Sequence, residues 1–394
     1  MQDSSQKTIT IESDEEKNLL SSLREWHDSE GERLKRFLDT PDLSRTPGSP
    51  INEIVKRILK IPDFKDFEVV KVPEIVPARE SFDLFNFPAD HPARSKSDTY
   101  YINDSNILRT HTTIMWYYYL TSDPVKEKMA RREPIGIFCH GKVYRKDEID
   151  RNHMNVFHQF DGLLIVPRDT KVITAQDLQD VLVKIAKSIF GENINYRFNP
   201  DSFPYTDPSF EMEVQIPSYA EATEGKGGKW IEVLGSGLAL GSVLEKLGVD
   251  SSVYQGWAFG FGLERLAIIS MDLPDIRLLW SQDERVKKQL HLGNKFREVS
   301  KYPSITRDVS FIVKNNFVPN DYFDLIRDLG GDLVEQVELL DKYENVEKFG
   351  ADRISYTYRI VYGSNERTLT TEEIDPIQGK IYNETVKQFK AEAR

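Results

Sequence analysis

The middle of the sequence alternates short β-type runs with glycine and proline, as in residues 134–143 and 230–234. Two segments stand out there as helices, Ala175–Phe190 and residues 262–270. A doubly wound parallel sheet needs a crossover helix between successive strands, so this pattern argues against one. We therefore predict a mixed, largely antiparallel sheet with flanking helices, which belongs to the α+β class.

The pattern changes after about residue 300, where the predicted order of elements is β-α-β-β-α. These elements are a strand at 308–313, a helix at 321–329, strands at 334–343 and 353–362, and a helix toward residue 389. Thr370 and Glu373 form the capping box that predicts the start of the final helix. A short last strand would complete a split βαβ, ferredoxin-like domain. Because the chain stops at Arg394, we expect that strand to be brief or missing.

The first forty-odd residues are polar and acidic, and the sparse apolar stripe from Leu19 to Trp26 predicts an exposed helix. Residues 40–52 hold three prolines and a glycine, which predicts a turn-rich boundary. A chain of 394 residues is long enough for two or three domains. We predict an acidic, helical N-terminal extension over residues 1–45, a main domain over 46–290 and the ferredoxin-like domain over 300–394.

The net charge of -12 excludes a general nucleic-acid coat and leaves only local basic patches to contact RNA. The one cysteine, Cys139, cannot form an internal disulfide, and its apolar surroundings indicate a core residue. No Cys or His cluster has the spacing of a structural zinc site. No uncharged apolar run approaches the roughly 18 residues of a membrane span. We expect a soluble protein of a reducing compartment.

Two segments combine the residue types that carry chemistry. Residues 141–162 place Arg145, His153 and Phe157 in one strand-loop-strand unit, where charges alternate with aromatic residues. Residues 256–265 set three glycines and three aromatic residues before an apolar helix. Small residues allow a close approach of the backbone, but the spacing is not that of a phosphate loop. From composition alone, helix packing explains these glycines equally well.

These segments resemble motifs 2 and 3 of the class II aminoacyl-tRNA synthetases, through Arg145 with the later FHQ and through GFGLER ahead of a helix. Further stretches are similar to phenylalanyl-tRNA synthetases, among them HPARSKSDTYY at His91, ILRTHTT at Ile107, FPYTDPSFEMEV at Phe203 and WIEVLGSG at Trp230. The tail, with SKYPSITRDVSFIV and GGDLVEQVELLDKYE, resembles the ferredoxin-fold anticodon-binding domain of the single-chain, organellar-type form.

The resemblance implies a phenylalanine–tRNA ligase, in which the phenylalanine carboxylate attacks the ATP α-phosphate. The resulting aminoacyl-adenylate then passes the amino acid to the terminal ribose of tRNA, at its 2′-hydroxyl in this family. Arg145 matches the motif 2 arginine at the α-phosphate, and Arg265 matches the motif 3 arginine at the γ-phosphate. His153 matches the loop histidine that reaches the outer phosphates. Phe157 matches the aromatic residue that stacks on adenine, although alternation along FHQFDG would also bury it in a core.

ATP is used with magnesium, whose preference for oxygen ligands calls for a carboxylate. Glu232, in WIEVLG, is the candidate by its place in the family pattern, and a solvated charge on a strand face is the alternative. The resemblance assigns no protein nucleophile, because the substrate carboxylate is already ionised. Positioning and charge stabilisation then do most of the catalytic work.

The amino-acid pocket departs from the family pattern. Gln159 and Asp161 match the pair that holds the substrate amino group, where the second residue is usually glutamate. Phe203 and Tyr205 match the two aromatic residues around the phenyl ring, where the second is usually phenylalanine. Ala258 matches the small residue that limits the far end of the pocket.

His111 and Thr113 match a pattern that usually reads HTS, and Trp116 stands where a glutamine is expected. Phenylalanine stays the favoured substrate, because two aromatic walls closed by alanine suit an unadorned ring. A related ligase with altered amino-acid specificity is the first alternative. A non-catalytic tRNA-binding relative is the second, and the retained Arg145 and Arg265 argue against it.

For the tail, the resemblance implies anticodon binding, although the tail holds more acidic than basic side chains. The candidate contacts are Arg307, Lys342 and Arg359, with Tyr343 and Tyr358 available to stack on unpaired bases. A solvated charge on a small sheet is an equally open interpretation for each basic residue.

The implied partners are tRNA(Phe) and phenylalanine, with no membrane. The related single-chain enzymes act as monomers without a β-subunit, and we expect the same here. The missing transit signature favours a bacterial-type cytoplasm. The organellar likeness of the tail leaves the mitochondrial matrix as the alternative.

Overall fold

The computed structural model of the protein describes residues 6–216, 228–298, 302–364 and 366–393. Its strands in chain order are β1 (Thr8–Thr10), β2 (Glu68–Lys71), β3 (Ile75–Pro77), β4 (Asn106–Leu108), β5 (Ile135–Tyr144), β6 (Val156–Pro167), β7 (Tyr196–Phe203), β8 (Thr206–Ile216), β9 (Lys229–Ala239), β10 (Tyr254–Gly262), β11 (Ile305–Lys314), β12 (Val334–Tyr343), β13 (Arg353–Tyr362) and β14 (Glu392–Ala393). Its helices are α1 (Asp14–Arg24), α2 (Ser29–Asp39), α3 (Pro50–Leu59), α4 (Ala78–Phe82), α5 (Met115–Leu120), α6 (Asp123–Ala130), α7 (Ala175–Phe190), α8 (Gly241–Lys246), α9 (Leu263–Met271), α10 (Glu284–Lys287), α11 (Pro319–Gly330), α12 (Val346–Phe349) and α13 (Thr371–Phe389).

Eight strands form the main sheet, in the order β1-β2-β5-β6-β10-β9-β8-β7. The pairs β1·β2 and β2·β5 are parallel. Every pair from β5 across to β7 is antiparallel. The sheet is therefore mixed and largely antiparallel, which confirms the fold class predicted from the scarcity of helices between the strands.

The main sheet has two apolar faces, because side chains alternate along each strand. Phe160 of β6 and Phe259 of β10 pack on the first face with residues of α3, α7 and α9. Leu163 of β6 and Ala258 of β10 lie on the second face, in a core with residues of α5 and α8. Cys139 is fully buried in this second core, as predicted.

The N-terminal segment packs against the main domain. Its strand β1 extends the main sheet by pairing with β2, and α1 and α2 contribute Leu23, Leu34 and Phe37 to a buried cluster. The Phe37 ring lies 5.1 Å from the ring of Tyr100. The predicted helix is therefore present as α1, but its apolar stripe is covered: Leu23 is buried, and Leu19, Leu20 and Trp26 pack against the same cluster.

The C-terminal sheet has the order β12-β13-β11-β14, and all its pairs are antiparallel. The helices α11 and α13 pack with it around a core of aromatic residues that includes Phe311, Tyr322 and Tyr358. The final helix begins after Thr370, whose N–H donates to the Glu373 carboxylate at 3.0 Å. The last strand, β14, has two residues. This confirms the ferredoxin-like prediction, including its short last strand.

The C-terminal domain contacts the loop between β5 and β6. Lys146 of that loop lies 3.0 Å from Asp321, and Arg327 donates to the carbonyl oxygen of Asp147 at 2.8 Å. The Tyr100 hydroxyl donates to the buried carboxylate of Asp324 at 2.8 Å. These polar contacts hold both the loop after β5 and Tyr100 against the C-terminal domain.

Candidate active site

A cavity of about 310 Å³ opens on the second face of the main sheet. Gln159 and Asp161 of β6 line it, and Phe157 lies on the same side of the strand because alternate residues share a face. His158 and Phe160, between them, are fully buried toward the first face. Phe157 is only half-buried, so it is not part of the sheet core.

Glycines make room for the polar and aromatic side chains of the cavity. Gly260 lies opposite Asp161 in the pairing of β10 with β6, and a Cβ atom on it would come within 1.9 Å of an Asp161 oxygen. A Cβ atom on Gly235 of β9 would come within 2.6 Å of the Phe203 ring. The side chain of Asp161 therefore requires a glycine at position 260. Helix packing, the alternative explanation of the glycine-rich run, does not account for this glycine.

Asp161 is a buried carboxylate held by two hydroxyl groups. The hydroxyls of Thr112 and Thr113 donate to it, the latter at 3.2 Å. The Thr112 N–H donates to the side-chain oxygen of Gln159 at 3.2 Å. Burial raises the pKa of Asp161 to about 6, although the two hydroxyls and the charge of Arg145 favour its ionised form. A carboxylate and an amide oxygen side by side suit the binding of a primary ammonium group.

Aromatic side chains enclose the other end of the cavity. The rings of Phe203 and Tyr205 lie 6.0 Å apart and 22° from parallel. Trp116 is fully buried, and its ring lies 6.3 Å from that of Tyr205. Phe87 and Ala258 complete the lining of this end. The enclosed space fits a flat apolar ring.

His111 lines the cavity as a neutral acceptor. Its Nε2 atom lies 3.2 Å from the carbonyl oxygen of Ser81, so Nε2 carries the proton. Burial, with a smaller contribution from the charge of Arg145, lowers the pKa of His111 to about 4. Its buried Nδ1 atom has no hydrogen-bond partner among the described residues. An unpaired acceptor therefore remains for a ligand.

Arg145 and Arg265 both line the cavity. The Arg145 Nε donates to the Thr110 carbonyl at 2.9 Å, and its guanidinium lies 5.2 Å from the centre of the Phe157 ring. Arg265 is the third residue of α9, and its side chain is 55% exposed. Both arginines line the first cavity and an adjoining cavity of about 600 Å³. Two permanent positive charges thus border one space, as the binding of a polyphosphate requires.

The adjoining cavity also contains the remaining residues that the sequence assigned to nucleotide binding. Phe157 and His153 line it, and the Nδ1 atom of His153 lies 2.8 Å from the Asp150 carboxylate. Glu232 lines the first cavity, 3.9 Å from Arg265. Within the described ranges, no three His, Cys, Asp or Glu side chains cluster as metal ligands. One carboxylate still fits an ion that arrives with phosphate oxygens and water.

The arginines predicted to contact tRNA pair with carboxylates of the C-terminal domain. Arg307 lies 2.8 Å from Asp375, and Arg359 lies 2.9 Å from Asp308. These pairs lie at the surface, where an ion pair is worth little and a phosphate group can replace the carboxylate. The two residues stay predictions as tRNA contacts.

The tyrosines predicted for base stacking have different surroundings. Tyr358 is 1% exposed in the domain core, so the stacking interpretation is wrong for it, because alternation along β13 points it inward. Tyr343 is 38% exposed at the end of β12. Lys342 lies beside it in the chain, with its ammonium group 5.9 Å from the centre of the Tyr356 ring.

Sequence reasoning missed two residues of the site. Thr112 supplies two hydrogen bonds, and its place between His111 and Thr113 could have marked it. Phe87 reaches the cavity from the loop after α4, and no local pattern distinguishes it from a core residue.

Comparison with known families agrees with this geometry. The model of the tRNA synthetases class II core domain (F) matches residues 38–290. The model of the ferredoxin-fold anticodon binding domain matches residues 300–394. Both matches agree with the two sheets seen in the structure.

Curated relatives match most of the chain. The chloroplastic/mitochondrial phenylalanine–tRNA ligase of Arabidopsis thaliana is 36% identical over 84% of this chain and 73% of its own length. The mitochondrial phenylalanine–tRNA ligase of Mus musculus is 34% identical over 82% of this chain and 74% of its own length. That of Saccharomyces cerevisiae is 31% identical over 88% and 87%. The chain therefore belongs to the class II aminoacyl-tRNA synthetases, in the phenylalanine–tRNA ligase family.

Proposed function

We propose that the protein is a phenylalanine–tRNA ligase, which activates phenylalanine with ATP and transfers it to tRNA(Phe). One observation carries the proposal: Arg145 and Arg265 border the same cavity that contains Asp161 and the ring walls Phe203 and Tyr205. Positively charged groups that can bind phosphates, a carboxylate that can bind an ammonium group and a slot for an aromatic ring thus lie within one cavity. These are the groups that join when an aromatic amino acid is adenylated.

The first step needs no acid or base from the protein. A carboxylate oxygen of phenylalanine attacks the α-phosphorus of ATP, a new P–O bond forms, and pyrophosphate leaves. Asp161 and Gln159 hold the ammonium group, so the substrate carboxylate is directed toward Arg145. Negative charge that builds on the α-phosphate is stabilised by Arg145, and charge on the leaving group by Arg265 and His153. Adenine stacks on Phe157.

The second step transfers the acyl group to tRNA. The 2′-hydroxyl of the terminal ribose attacks the acyl carbon of the adenylate, an ester bond forms, and the bond between the acyl carbon and the phosphate oxygen breaks. AMP leaves with the electron pair of that bond, and the hydroxyl proton passes to a phosphate oxygen of AMP. The contribution of the chain to this step is again positioning, because the adenylate is already activated. His111 and Thr113 border the amino-acid side of the cavity, where the acyl carbon lies.

Class II synthetases use ATP with magnesium, and we propose Glu232 as the protein ligand. Its half-exposed carboxylate near Arg265 supports this role, because magnesium is usually held by one or two carboxylates together with phosphate oxygens. The ion supplies positive charge to the triphosphate when it is bound.

Phenylalanine is the proposed amino acid, and one observation favours an altered specificity. The pocket end contains the hydroxyl of Tyr205 and the Nε1 atom of Trp116. This Nε1 atom is buried and has no hydrogen-bond partner among the described residues. A polar ring substituent would pair with it, whereas an unsubstituted ring leaves it unpaired. The walls themselves remain apolar, which favours phenylalanine.

Amino-acid-dependent exchange of pyrophosphate into ATP tests the proposal. We expect exchange with phenylalanine, and a kcat/KM for tyrosine and tryptophan lower by about 10²-fold or more. Preference for tyrosine would establish the altered ligase instead. Binding of tRNA without exchange for any amino acid would establish the non-catalytic relative.

The pKa of Asp161 predicts how phenylalanine binding depends on pH. We expect kcat/KM for phenylalanine to be level above about pH 6 and to fall below it, because only the ionised carboxylate attracts the ammonium group. The fall should approach about tenfold per pH unit, as for loss of one proton-sensitive group. In Asp161→Asn, kcat/KM for phenylalanine should be low at every pH and should no longer depend on pH in this range. A profile that Asp161→Asn keeps would assign it to another group.

For the remaining assignments we propose residues 46–290 as the catalytic unit, 1–45 as its extension and 300–394 as the anticodon-binding unit. Arg307, Lys342 and Arg359 are the proposed tRNA contacts. None of the described helices combines the length and hydropathy that a membrane-spanning helix needs. We propose a monomer without a β-subunit. The organellar names of the relatives favour the mitochondrial matrix and give no support to a bacterial-type cytoplasm.

A further inference from the structure

A buried pair of side chains joins the two sequence motifs behind the nucleotide cavity. His158 of β6 is fully buried, and Glu264, the second residue of α9, is 2% exposed. Both oxygens of the Glu264 carboxylate accept from the His158 N–H, at 2.9 and 2.8 Å. The Nδ1 atom of His158 lies 2.5 Å from one of the same oxygens. The proposed function assigns no role to either side chain.

The Glu264 carboxylate replaces a missing strand partner. The pairing of β10 with β6 ends at Gly262 opposite Gln159, because the chain turns into α9 at Leu263. His158 precedes Gln159 on β6 and lies just beyond the end of this pairing, so β10 offers no acceptor to its N–H. A buried N–H without an acceptor is energetically costly. Glu264 supplies that acceptor from the first turn of the helix. The start of α9 is thereby tied to the middle of motif 2.

The histidine ring supplies a second donor to this tie. The Leu43 N–H donates to Nε2 of His158 at 2.9 Å, so the ring carries its proton on Nδ1, which faces Glu264. Asp42, at 3.4 Å from Nε2, is farther away. Two donors therefore converge on Glu264: one carboxylate oxygen lies within hydrogen-bond distance of both, and the other oxygen also accepts from the His158 N–H. With both oxygens engaged, Glu264 is not free to bind a metal ion.

We propose that Glu264 and His158 are positioning residues that direct Arg265 toward the outer phosphates of ATP. In the described part of the chain, the contact that holds the Arg265 guanidinium is the 3.9 Å ion pair with Glu232. The position of the Arg265 guanidinium therefore depends mainly on the backbone at the start of α9. Successive helical residues point about 100° apart, so anchoring Glu264 on the buried side turns Arg265 to the cavity. This inference rests on the proposed function.

Glu264→Gln is the first test. In either orientation of the new amide, its NH2 group faces the His158 N–H, and two donors cannot bond to each other. The tie is therefore broken at nearly constant side-chain volume. We expect kcat/KM for ATP in pyrophosphate exchange to fall by about 10- to 100-fold, because misplacement of a positioning group by ~1 Å costs this much. The KM for phenylalanine and the inhibition constant of AMP should stay at their wild-type values, since neither ligand reaches Arg265 through outer phosphates.

Two histidine variants separate positioning from stability. In His158→Asn the amide nitrogen occupies the place of Nδ1–H, so most of the ATP kcat/KM should be retained, whereas His158→Ala should lose it as Glu264→Gln does. The matched control is His140→Asn, at a buried histidine whose Nδ1 lies 2.8 Å from the Ser44 hydroxyl and which has no bond to Glu264. It should lower Tm without a selective effect on ATP.

The outcomes distinguish this inference from the proposed function. Wild-type protein that is inert in exchange would overturn the proposed function. Active wild type with an unchanged ATP kcat/KM in Glu264→Gln and His158→Ala would overturn only the inference. Equal losses for ATP, AMP and phenylalanine, matched by His140→Asn at the same Tm, would also overturn it. If Glu264→Gln does not fold, the comparison of His158→Asn with His158→Ala decides.

Discussion

Replacing Arg265 by alanine is expected to lower the rate of adenylate formation by about 10³-fold, with fold and tRNA binding retained. The guanidinium is more than half exposed, so its removal leaves no buried group unpaired. What is lost is a fixed positive charge where the leaving pyrophosphate gathers negative charge. Pyrophosphate exchange measures the loss, and filter binding of tRNA shows whether the second ligand still binds.

The matched control for this variant is Arg285→Ala. Arg285 is an arginine of similar exposure, 59%, that pairs with Asp283 and lines neither of the two cavities. Its replacement should leave exchange unchanged. If Arg265→Ala exchanges as fast as Arg285→Ala, the assignment of Arg265 to the triphosphate is wrong.

The second large effect is expected for Arg145→Ala, again about 10³-fold in exchange, but with a different pattern among ligands. Arg145 lies at the α-phosphate in the proposed complex, so its loss should weaken AMP as well as ATP. Arg265→Ala should leave AMP inhibition unchanged. Arg145→Lys keeps the charge and loses the planar fork, so it should fall between wild type and alanine.

Structural damage is the alternative explanation for Arg145→Ala, because the side chain also donates to Thr110. Loss of the donor to the Thr110 carbonyl should lower Tm only modestly, because the free energy of unfolding falls by the contribution of about one hydrogen bond. A loss of exchange that follows Tm across variants, without the selective effect on AMP, would refute the α-phosphate role.

Much of the fold was predictable because most helices and strands show the apolar spacing of their own type along the sequence. Ala175–Phe190 begins and ends as α7 does, and the capping box of Thr370 and Glu373 marks the start of the last helix. The strand β14 could only be anticipated from the ferredoxin-like order, since two residues have no period. The strand β1 was missed for the same reason, because its three residues gain their place only by pairing with β2.

Phe157, Gln159 and Asp161 were assigned from their resemblance to motif 2, and the structure places them on one side of β6. The tie between His158 and Glu264 was not predictable, because it joins residues 106 positions apart and depends on the register of β10 against β6. No local pattern contains that register.

The most direct test of the account is a crystal structure of the protein with phenylalanine and a non-hydrolysable ATP analogue. We expect the adenine on Phe157, the α-phosphate within hydrogen-bond distance of Arg145, the γ-phosphate beside Arg265, and the phenyl ring between Phe203 and Tyr205. A nucleotide bound elsewhere, or one whose phosphates contact neither arginine, would contradict the central claim that these two charges converge on a single triphosphate.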